Sequence, residues 1–424
     1  MKLICADLER PLPAVPRCDV GAQWVLVRLH GCPLGVVVPP ASGCTPAQLQ
    51  QLALRELSEP IAKHLAADSI GSRVADPNGI AAPCPRSLVT GSVVTVAVCT
   101  RGRAGQIGEC LESLAALDYP HRQLDLLVVD NAPDDSATRD LVSRYPRLRY
   151  ALEPRPGLDW ARNRAVREAR GDIIAFTDDD VSVDAAWVRA IAGAFAEEPH
   201  AMCVTGLVLP DEIDTPAQAL FETYGGFGRG FKRSVFRVVP GERAALDYGG
   251  TGRFGTGANM AFRRTFFELE GLFDPALDIG TPANGGGDLE MFFRVLKSGH
   301  ALVYEPAAMV RHRHRRDYAS LRQQIANNGI GFYAYLVRTA QAYPAERLAV
   351  LRLGIWWMWW WNLRRLLRGL VRPRAFPRDL ILAEIKGSLV GLRRYAPARR
   401  QAADVLRKFG SDAEPRRAAA GDRS

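Results

Sequence analysis

Residues 172–180 read Asp172-Ile173-Ile174-Ala175-Phe176-Thr177-Asp178-Asp179-Asp180, an apolar run that ends in three consecutive aspartates. The run is typical of a short buried strand, and open α/β sheets bind their ligands at the carboxyl edge of such strands. Crowded carboxylates repel one another unless a cation lies between them, and their hard oxygens suit Mg²⁺ or Mn²⁺ bridging a diphosphate. An Asp-rich turn that caps the next helix is the alternative. The surrounding sequence favours the metal.

The sequence on either side alternates between strand and helix patterns. Apolar runs at 93–99, 126–129, 148–151, 172–176 and 202–209 are separated by helical patterns at 107–117, 134–145, 159–169 and 184–197. This alternation predicts the α/β class, with a Rossmann-like, mainly parallel sheet and helices on both of its faces.

The chain is long enough for more than one domain. It has 424 residues, of which 47% are hydrophobic and 24% charged, as is ordinary for a globular protein. Residues 1–85 are predicted to form a small α+β unit, with a hairpin around Gly31-Cys32-Pro33 and a helix from Thr45 to about Ala66. A Pro/Gly-rich stretch at 76–85 is typical of a linker, and residues 411–424 have the composition of a disordered tail. No residue cluster predicts a role for the first unit.

The positive charge is concentrated near the C-terminus. The net charge is +9, and residues 350–410 contain 14 Lys/Arg against 3 Asp/Glu. Within the basic helical region 319–410, five tryptophans lie between Leu353 and Leu363, a segment too short to cross a bilayer. Tryptophans followed by arginines favour a helix that lies in a membrane interface and contacts anionic headgroups through residues 350–400. An aromatic seam on the main domain or in a dimer interface is the alternative.

Two further observations bear on partners and location. The basic segment lacks any recognisable nucleic-acid reader motif, so no nucleic-acid partner is expected. Eight cysteines are scattered singly, and the first residues carry Asp7 and Glu9 rather than a signal-peptide pattern. We therefore expect a cytoplasmic protein, with peripheral contact to the inner face of the membrane.

The predicted strand ends bring more polar residues to the aspartate edge. Thr100, Arg101 and Arg103 follow the first strand and are candidates to contact a nucleotide. Asp130 ends the second strand, where its carboxylate would accept hydrogen bonds from a base or a ribose.

Asn163 and Arg164 lie in the helix that follows Gly157-Leu158, where they are candidates to reach a diphosphate. Asp178 and Asp180 are the candidate metal ligands at the centre of the site, and Asp179 between them is assigned to donor binding.

Five ordered motifs resemble those of glycosyltransferase family 2, which has the GT-A fold. They are Val-Cys-Thr-Arg-Gly-Arg, Val-Val-Asp-Asn-Ala-Pro, Ala-Arg-Asn-Arg-Ala, Phe-Thr-Asp-Asp-Asp and Gly-Gly-Gly-Asp-Leu-Glu-Met-Phe-Phe-Arg, and the resemblance covers residues 92–318. It implies a nucleotide-sugar donor, a divalent metal, Mg²⁺ or Mn²⁺, held by the Asp-x-Asp motif, and transfer with inversion. The acceptor would be a hydroxyl of a glycan, a lipid-linked sugar or a small molecule.

The same resemblance assigns the general base. Asp288 matches the family's catalytic aspartate, but Gly287 stands where the family has a glutamate, so Glu290 is a rival candidate. A base is needed because the attacking hydroxyl must lose its proton, while a metal neutralises the departing diphosphate. Asp288 also fits the N-terminus of an amphipathic helix, a role that is compatible with catalysis.

Two other motifs belong to the predicted site. His312 and His314 follow an apolar strand run, and the resemblance implies that one of them completes the metal shell; an exposed basic turn is the alternative. Asn259 lies in a glycine-rich stretch that resembles the family's acceptor loop, although a turn entering a strand gives the same pattern.

Two other functions remain open. A sugar nucleotidyltransferase is disfavoured because residues 100–103 lack the glycines and lysine that cradle a triphosphate. A catalytically degenerate nucleotide-sugar-binding protein is the other alternative, and Gly287 is its only support.

Overall fold

The computed structural model describes residues 3–18, 23–67, 91–238, 252–371 and 376–410. Its strands are β1 Ile4–Asp7, β2 Val25–Leu29, β3 Cys32–Val37, β4 Val94–Thr100, β5 Leu124–Asn131, β6 Leu148–Glu153, β7 Ile173–Asp178, β8 Val181–Val183, β9 Ala201–Pro210, β10 Ser234–Phe236, β11 Asn259–Arg263 and β12 Ala301–His312. Its helices are α1 Pro46–Glu56, α2 Ser58–Ala67, α3 Gly108–Ala115, α4 Ala137–Val142, α5 Leu158–Glu168, α6 Trp187–Glu197, α7 Pro216–Tyr224, α8 Arg264–Glu270, α9 Gly287–Lys297, α10 Tyr318–Ala342, α11 Arg347–Trp357, α12 Arg364–Val371, α13 Arg378–Gly391 and α14 Tyr395–Phe409.

Nine of the described strands form the central sheet, in the order β10-β12-β9-β11-β7-β4-β5-β6, with β8 paired to β12. The pairs β4–β5, β4–β7, β5–β6 and β12–β9 are parallel. β11 lies antiparallel between β7 and β9, so the six long strands all run in one direction. The predicted α/β class with a mainly parallel sheet is confirmed.

Helices cover both faces of this sheet. β4 is buried along its whole length, as expected for a continuous apolar run inside a covered sheet. α3, α4 and α6 pack on one face, for example through Leu111 and Ile191, and α5, α8 and α9 pack on the other through Ala161, Phe266 and Met291. The carboxyl ends of the long strands therefore remain as the open edge.

The described residues before 68, which are 3–18 and 23–67, form a small unit of their own. β1 pairs in parallel with β2, β2 and β3 make a hairpin, and α1 and α2 pack on them around Val27 and Leu49. The helix expected from Thr45 to about residue 66 is divided at Leu57, where α1 ends. Arg28 joins the unit to the main domain through an ion pair of 2.6 Å with Asp184. The predicted linker at 76–85 lies outside the described residues.

The C-terminal region is helical, as predicted. α10 packs along α13, where Gly387 is so close to Ala326 that a Cβ would collide with the α10 backbone. α14 returns to the main domain, where the Tyr395 hydroxyl donates to Asp274 at 2.9 Å. A π-helical turn, Met358–Leu363, joins α11 to α12. Over the described ranges, we find no helix whose length and apolar character would let it cross a bilayer. The predicted tail, 411–424, lies outside those ranges.

Candidate active site

The open edge of the sheet carries the predicted acidic residues side by side. Thr100 of β4 is in register with Asp130 of β5, and Cys99 is in register with Asp178 of β7. β12 ends at His312, next to β8 and the aspartate triplet. The edge therefore gathers side chains from strands that are far apart in sequence.

The three aspartates do not cap a helix. β8 follows them, and α6 begins later with Ala186 at its N-cap position and no side-chain cap. Asp179 is buried, and accepts a hydrogen bond of 2.7 Å from the Thr100 hydroxyl and one of 2.8 Å from the Arg103 guanidinium. Asp178 and Asp180 keep 31% and 14% of their side chains exposed. Asp179 thus fixes the turn, and its two neighbours are accessible to a ligand.

A guanidinium that the sequence reasoning missed lies between these carboxylates. Arg162 of α5 is 3.1 Å from Asp159 Oδ1 and 3.8 Å from Asp178 Oδ1. A Cβ at Gly257 would lie 2.7 Å from Arg162 Nη2 and 3.4 Å from Asp288 Oδ2, so Arg162 and Asp288 flank the same glycine. Arg162 therefore links the aspartate triplet to Asp288.

Asp288 lies in the first turn of α9, but Gly286 occupies the N-cap position. Its Oδ2 accepts a hydrogen bond of 2.8 Å from the Gly257 backbone N–H, and its Oδ1 accepts one of 2.9 Å from Leu289. The glycine-rich loop before β11 therefore holds the Asp288 carboxylate, as the loop of small residues allows. The cap interpretation does not describe this residue.

The two histidines are buried, which excludes an exposed basic turn, and they have different neighbours. His312 Nε2 lies 3.4 Å from Asp180 Oδ1, and its Nδ1 lies 3.1 Å from His314 Nδ1. His314 Nε2 lies 2.8 Å from Glu222 Oε1. His312 thus faces the aspartates, and His314 and Glu222 stand behind it.

The donor set fits a divalent cation in its chemistry. Burial lowers the pKa of His312 to about 4, so the ring is neutral near pH 7, the form that ligates metals. Burial raises the pKa of Asp178, and Arg162 opposes that shift; a cation would relieve the crowding of negative charge. Within the described residues, however, no group of three or more His, Cys, Asp or Glu side chains converges tightly enough to form a cation site.

Asp130 lies at the end of β5, in register with Thr100 of β4. This carboxylate is buried and accepts a hydrogen bond of 3.0 Å from the Tyr150 hydroxyl through Oδ2, and its Oδ1 has no partner within the described part of the chain. Burial raises the pKa of Asp130. Arg139 lies over the Tyr150 ring, and Arg101 is exposed beside the end of β4. A buried carboxylate oxygen without a partner is a place where a donor N–H or O–H would be accepted.

Two predicted diphosphate residues are not brought to the aspartates. The Asn163 amide exchanges two hydrogen bonds with the Phe273 backbone, at 3.0 and 2.9 Å. Arg164 forms an ion pair of 2.7 Å with Glu168 one helical turn away. Of the motif Ala161–Ala165, only Arg162 reaches the site, because it shares a face of α5 with Asp159 three residues earlier.

Asn259 and Glu290 have structural partners as well. The Asn259 side chain accepts from the Trp187 indole at 2.9 Å and donates to the carbonyls of Leu207 and Ala308, which uses both of its N–H groups. Glu290 is fully buried in an ion-pair network with Arg294 and with Arg338, the latter at 2.6 Å. The rival base is therefore held by two guanidinium groups and is not presented to the edge.

Comparison with known proteins identifies a matching family and several similar proteins. Residues 95–269 match the family described as Glycosyl transferase family 2. The chain is 24% identical, over 234 residues, to a glucosyl-dolichyl phosphate glucuronosyltransferase of Haloferax volcanii; the match covers 52% of this chain and 69% of that enzyme. It is 25% identical, over 241 residues, to a pre-mycofactocin glycosyltransferase of Mycobacterium tuberculosis, covering 56% of this chain and 46% of that one.

A solved structure with a similar chain trace is a mannosyltransferase from Pyrobaculum calidifontis in complex with GDP-Man and Mn²⁺. It is 18% identical in sequence, the TM-score is 0.48, and the match covers 81% of this chain and 97% of that one.

Proposed function

Residues 95–269 belong to glycosyl transferase family 2, and from this premise we propose that the protein moves a sugar from a nucleotide-sugar donor to an acceptor hydroxyl. The family and the glycosyltransferase class predicted from the sequence motifs are confirmed. The observation that carries the proposal is that Asp178 and Asp288, about a hundred residues apart in sequence, both lie against Arg162 at one edge of the sheet. The same edge of the sheet therefore offers separate carboxylates for the donor and for the acceptor.

The nucleotide of the donor lies, in this proposal, along the ends of β4 and β5. Support comes from Asp130 Oδ1, which has no hydrogen-bond partner among the described residues and is suited to a base N–H or a ribose hydroxyl. Arg101 and Arg103 would face the phosphates, since guanidinium groups pair well with phosphate oxygens. Thr100 contributes indirectly, because its hydroxyl donates to Asp179.

Asp178, Asp180 and His312 would hold the metal, with His314 and Glu222 behind His312. A divalent cation bound there supplies charge neutralisation for the departing nucleoside diphosphate. His312 presents a neutral ring nitrogen toward Asp180, and Arg103, 3.5 Å from Asp180, adds fixed positive charge at the same place. The short reach between Asp180 and His312 supports a shared ligand role.

Asp288 would act as the general base. Its carboxylate is held by the backbone N–H groups of Gly257 and Leu289, and these two bonds fix its position relative to an acceptor hydroxyl. Deprotonation of the hydroxyl as it attacks the anomeric carbon from the face opposite the leaving group inverts the configuration. We therefore infer an inverting reaction.

The acceptor is, in this proposal, lipid-linked and reached at the inner face of a membrane. The outer face of α11, the π-helical turn and α12 exposes a row of large apolar side chains, which we call the apolar stripe: Leu348, Leu351, Ile355, Trp356, Trp359, Trp360 and Leu367. Arg364 lies 3.8 Å above the Trp360 ring, so cationic and aromatic groups share that face. The name of the haloarchaeal relative likewise specifies a dolichyl phosphate-linked substrate.

The function is tested by incubating purified protein with Mn²⁺ and a panel of nucleotide sugars and measuring the released nucleoside diphosphate. Asp180→Ala should abolish turnover, and chelation of the metal should do the same. Asp288→Asn should keep donor binding but lower turnover by about 10²-fold or more, the scale of a lost general base. NMR of the product's anomeric proton reports whether the configuration is inverted.

The matched control is Asp118→Asn, which alters an exposed carboxylate that is paired with Arg189 rather than with any residue of the proposed site. It should leave turnover unchanged. A rate like the wild type in Asp288→Asn would remove the base role from Asp288, and no turnover of any donor by the wild type would refute the proposed function.

A further inference from the structure

The family resemblance expects a glutamate at position 287, where this chain has Gly287. The space that a side chain at this position would fill is taken by the side chain of another residue. A Cβ at position 287 would lie 3.0 Å from Asp159 Cγ and still closer to Asp159 Oδ2. Asp159 belongs to the first turn of α5, 128 positions earlier in the chain. A carboxylate is therefore present beside Asp288 although position 287 has no side chain.

The backbone does not require a glycine at this position. Gly285 and Gly286 have φ of +124° and +105°, a region that favours glycine, whereas Gly287 begins α9 and has no positive φ. What excludes a side chain at position 287 is the space taken by Asp159. The departure from the family pattern and the position of Asp159 are thus one structural feature.

The Asp159 carboxylate is buried and only half used. It is 1% exposed; Oδ1 accepts a hydrogen bond of 3.1 Å from Arg162, and Oδ2 has no partner among the residues that the structure describes. Its backbone N–H donates to Asp278, which also accepts from Leu158 and so holds the start of α5 in place. A rigid helix end therefore carries an unpaired carboxylate oxygen to the side of α9.

We propose that Asp159 supplies the carboxylate that a side chain at position 287 would otherwise supply, and that it is a positioning residue for the site. This proposal rests on the proposed function, and it concerns which acidic groups pair with the Arg162 guanidinium. Arg162 is buried, lies 3.8 Å from Asp178, and flanks Gly257 together with Asp288. Asp159 takes one side of this guanidinium and keeps it from pairing fully with the metal carboxylate or with the base.

Loss of Asp159 removes the carboxylate that is hydrogen-bonded to Arg162, and it leaves Asp178, Asp288 and Asp278 as the acidic groups whose charges act on this guanidinium. A buried guanidinium pairs with a nearby carboxylate, because an unpaired buried charge is strongly unfavourable. Pairing with Asp178 would compete with metal binding, and pairing with Asp288 would withdraw the base from the acceptor. The two effects are measured separately, by Mn²⁺ affinity and by turnover at saturating Mn²⁺.

The test moves the carboxylate from one helix to the other. Asp159→Ala should lower turnover and weaken Mn²⁺ binding by about 10- to 100-fold each, the range for residues that support metal ligands. Gly287→Asp alone should lower the melting temperature, since two carboxylates then compete for one space. The double variant Asp159→Ala with Gly287→Asp puts a carboxylate back into that space, and it should recover most of both losses.

The matched control is the double variant Asp159→Ala with Gly287→Asn, which has the same shape but no charge and should not recover. Turnover and Mn²⁺ affinity at the wild-type level in Asp159→Ala would overturn the proposal. So would equal behaviour of the aspartate and asparagine double variants when both melt like the wild type. If the wild type turns over no donor, the proposed function fails on its own, and the Mn²⁺ affinities of the same variants still decide the role of Asp159.

Discussion

The side chain of Glu222 sets the orientation of a histidine pair that ends at the aspartates. His314 Nε2 lies 2.8 Å from Glu222, and the facing Nδ1 atoms of His314 and His312 are 3.1 Å apart. A carboxylate behind His314 favours a proton on its Nε2, which leaves His314 Nδ1 as the acceptor for His312 Nδ1–H. His312 Nε2 then carries a lone pair toward Asp180. Histidines that bind metals are commonly held in one tautomer in this way.

We predict that Glu222→Gln weakens Mn²⁺ binding by about 10- to 100-fold while turnover at saturating Mn²⁺ falls much less. The reason is that the amide holds His314 without the charge that fixes its proton. Calorimetric titration with Mn²⁺ measures the first quantity. Glu109→Gln is the control, because Glu109 is exposed and pairs with Arg313, between the two histidines. An unchanged Mn²⁺ affinity in Glu222→Gln would contradict the idea that Glu222 sets the tautomer of His312 through His314.

Which residue of a helical motif faces the site is decided by the rotation of the helix, and sequence alone did not fix it. The sequence predicted that the motif 161–165 lies in a helix and that Asn163 and Arg164 are the residues that reach a diphosphate. Asp278, about 120 residues later, accepts hydrogen bonds from the backbone at the start of α5 and fixes its rotation, so that Arg162 faces inward. A contact over such a distance in sequence leaves no local pattern that could be recognised.

Among the elements, long buried strands were predictable and short ones were not. The runs that became β4, β5 and β7 are continuous and apolar, since both faces of the sheet are covered. β8 and β10 have three residues each, and β11 follows a glycine-rich loop, so their patterns are too short to distinguish from turns. β11 nonetheless matters for the site, because its antiparallel insertion brings Gly257 to Asp288.

Glu384 of α13 is a buried acidic residue that lies where α13 packs against α10, and it is protonated there. Burial raises the pKa of Glu384 to about 8, its Oε2 has no partner in the described ranges, and its backbone carbonyl lies beside Gly329 of α10. The folded protein therefore holds a proton that the unfolded chain loses near pH 4.5. The contribution of Glu384 to the free energy of unfolding is therefore complete below pH 4.5, and it is lost as the pH rises toward 8.

We predict that Glu384→Gln makes the protein progressively more stable than the wild type as the pH is raised. Between pH 5 and 8 the difference in the free energy of unfolding should grow by roughly 2–4 kcal/mol, since one proton corresponds to about 1.4 kcal/mol per pH unit. Urea unfolding at several pH values measures it. Glu112→Gln, at an exposed position of α3, should show no such trend. A pH-independent difference for Glu384→Gln would mean that this carboxyl is charged in the folded protein.

At the scale of the whole molecule, the helical segment that carries the apolar stripe also packs against α7, which carries Glu222. On its inner side Trp361 packs against Tyr224, and Arg365 lies between the rings of Tyr224, Trp361 and Phe376. Tyr224 ends α7, the helix that presents Glu222 to His314. The tryptophan segment is thus partly the packed seam and partly the exposed surface that the sequence left as alternatives.

We predict that the wild-type protein binds vesicles containing anionic phosphatidylglycerol through the apolar stripe and binds neutral phosphatidylcholine vesicles less well. The double variant Ile355→Ser with Trp359→Ser should weaken binding by at least about tenfold, because each side chain is 61% and 58% exposed and would enter the interface. Co-sedimentation at two salt concentrations measures it, and higher salt should weaken the wild type, since the arginines attract anionic headgroups through screened charge.

The control must remove exposed apolar area without touching the stripe. Leu269→Ser on α8 does so, because Leu269 is 65% exposed on the main domain and should leave vesicle binding unchanged. Sedimentation velocity of the same variants separates the remaining alternative. If the wild type is a dimer that the stripe variant dissociates, and vesicle binding is unaffected, then the exposed tryptophans cover a second copy of the chain and the lipid-linked acceptor loses its structural support.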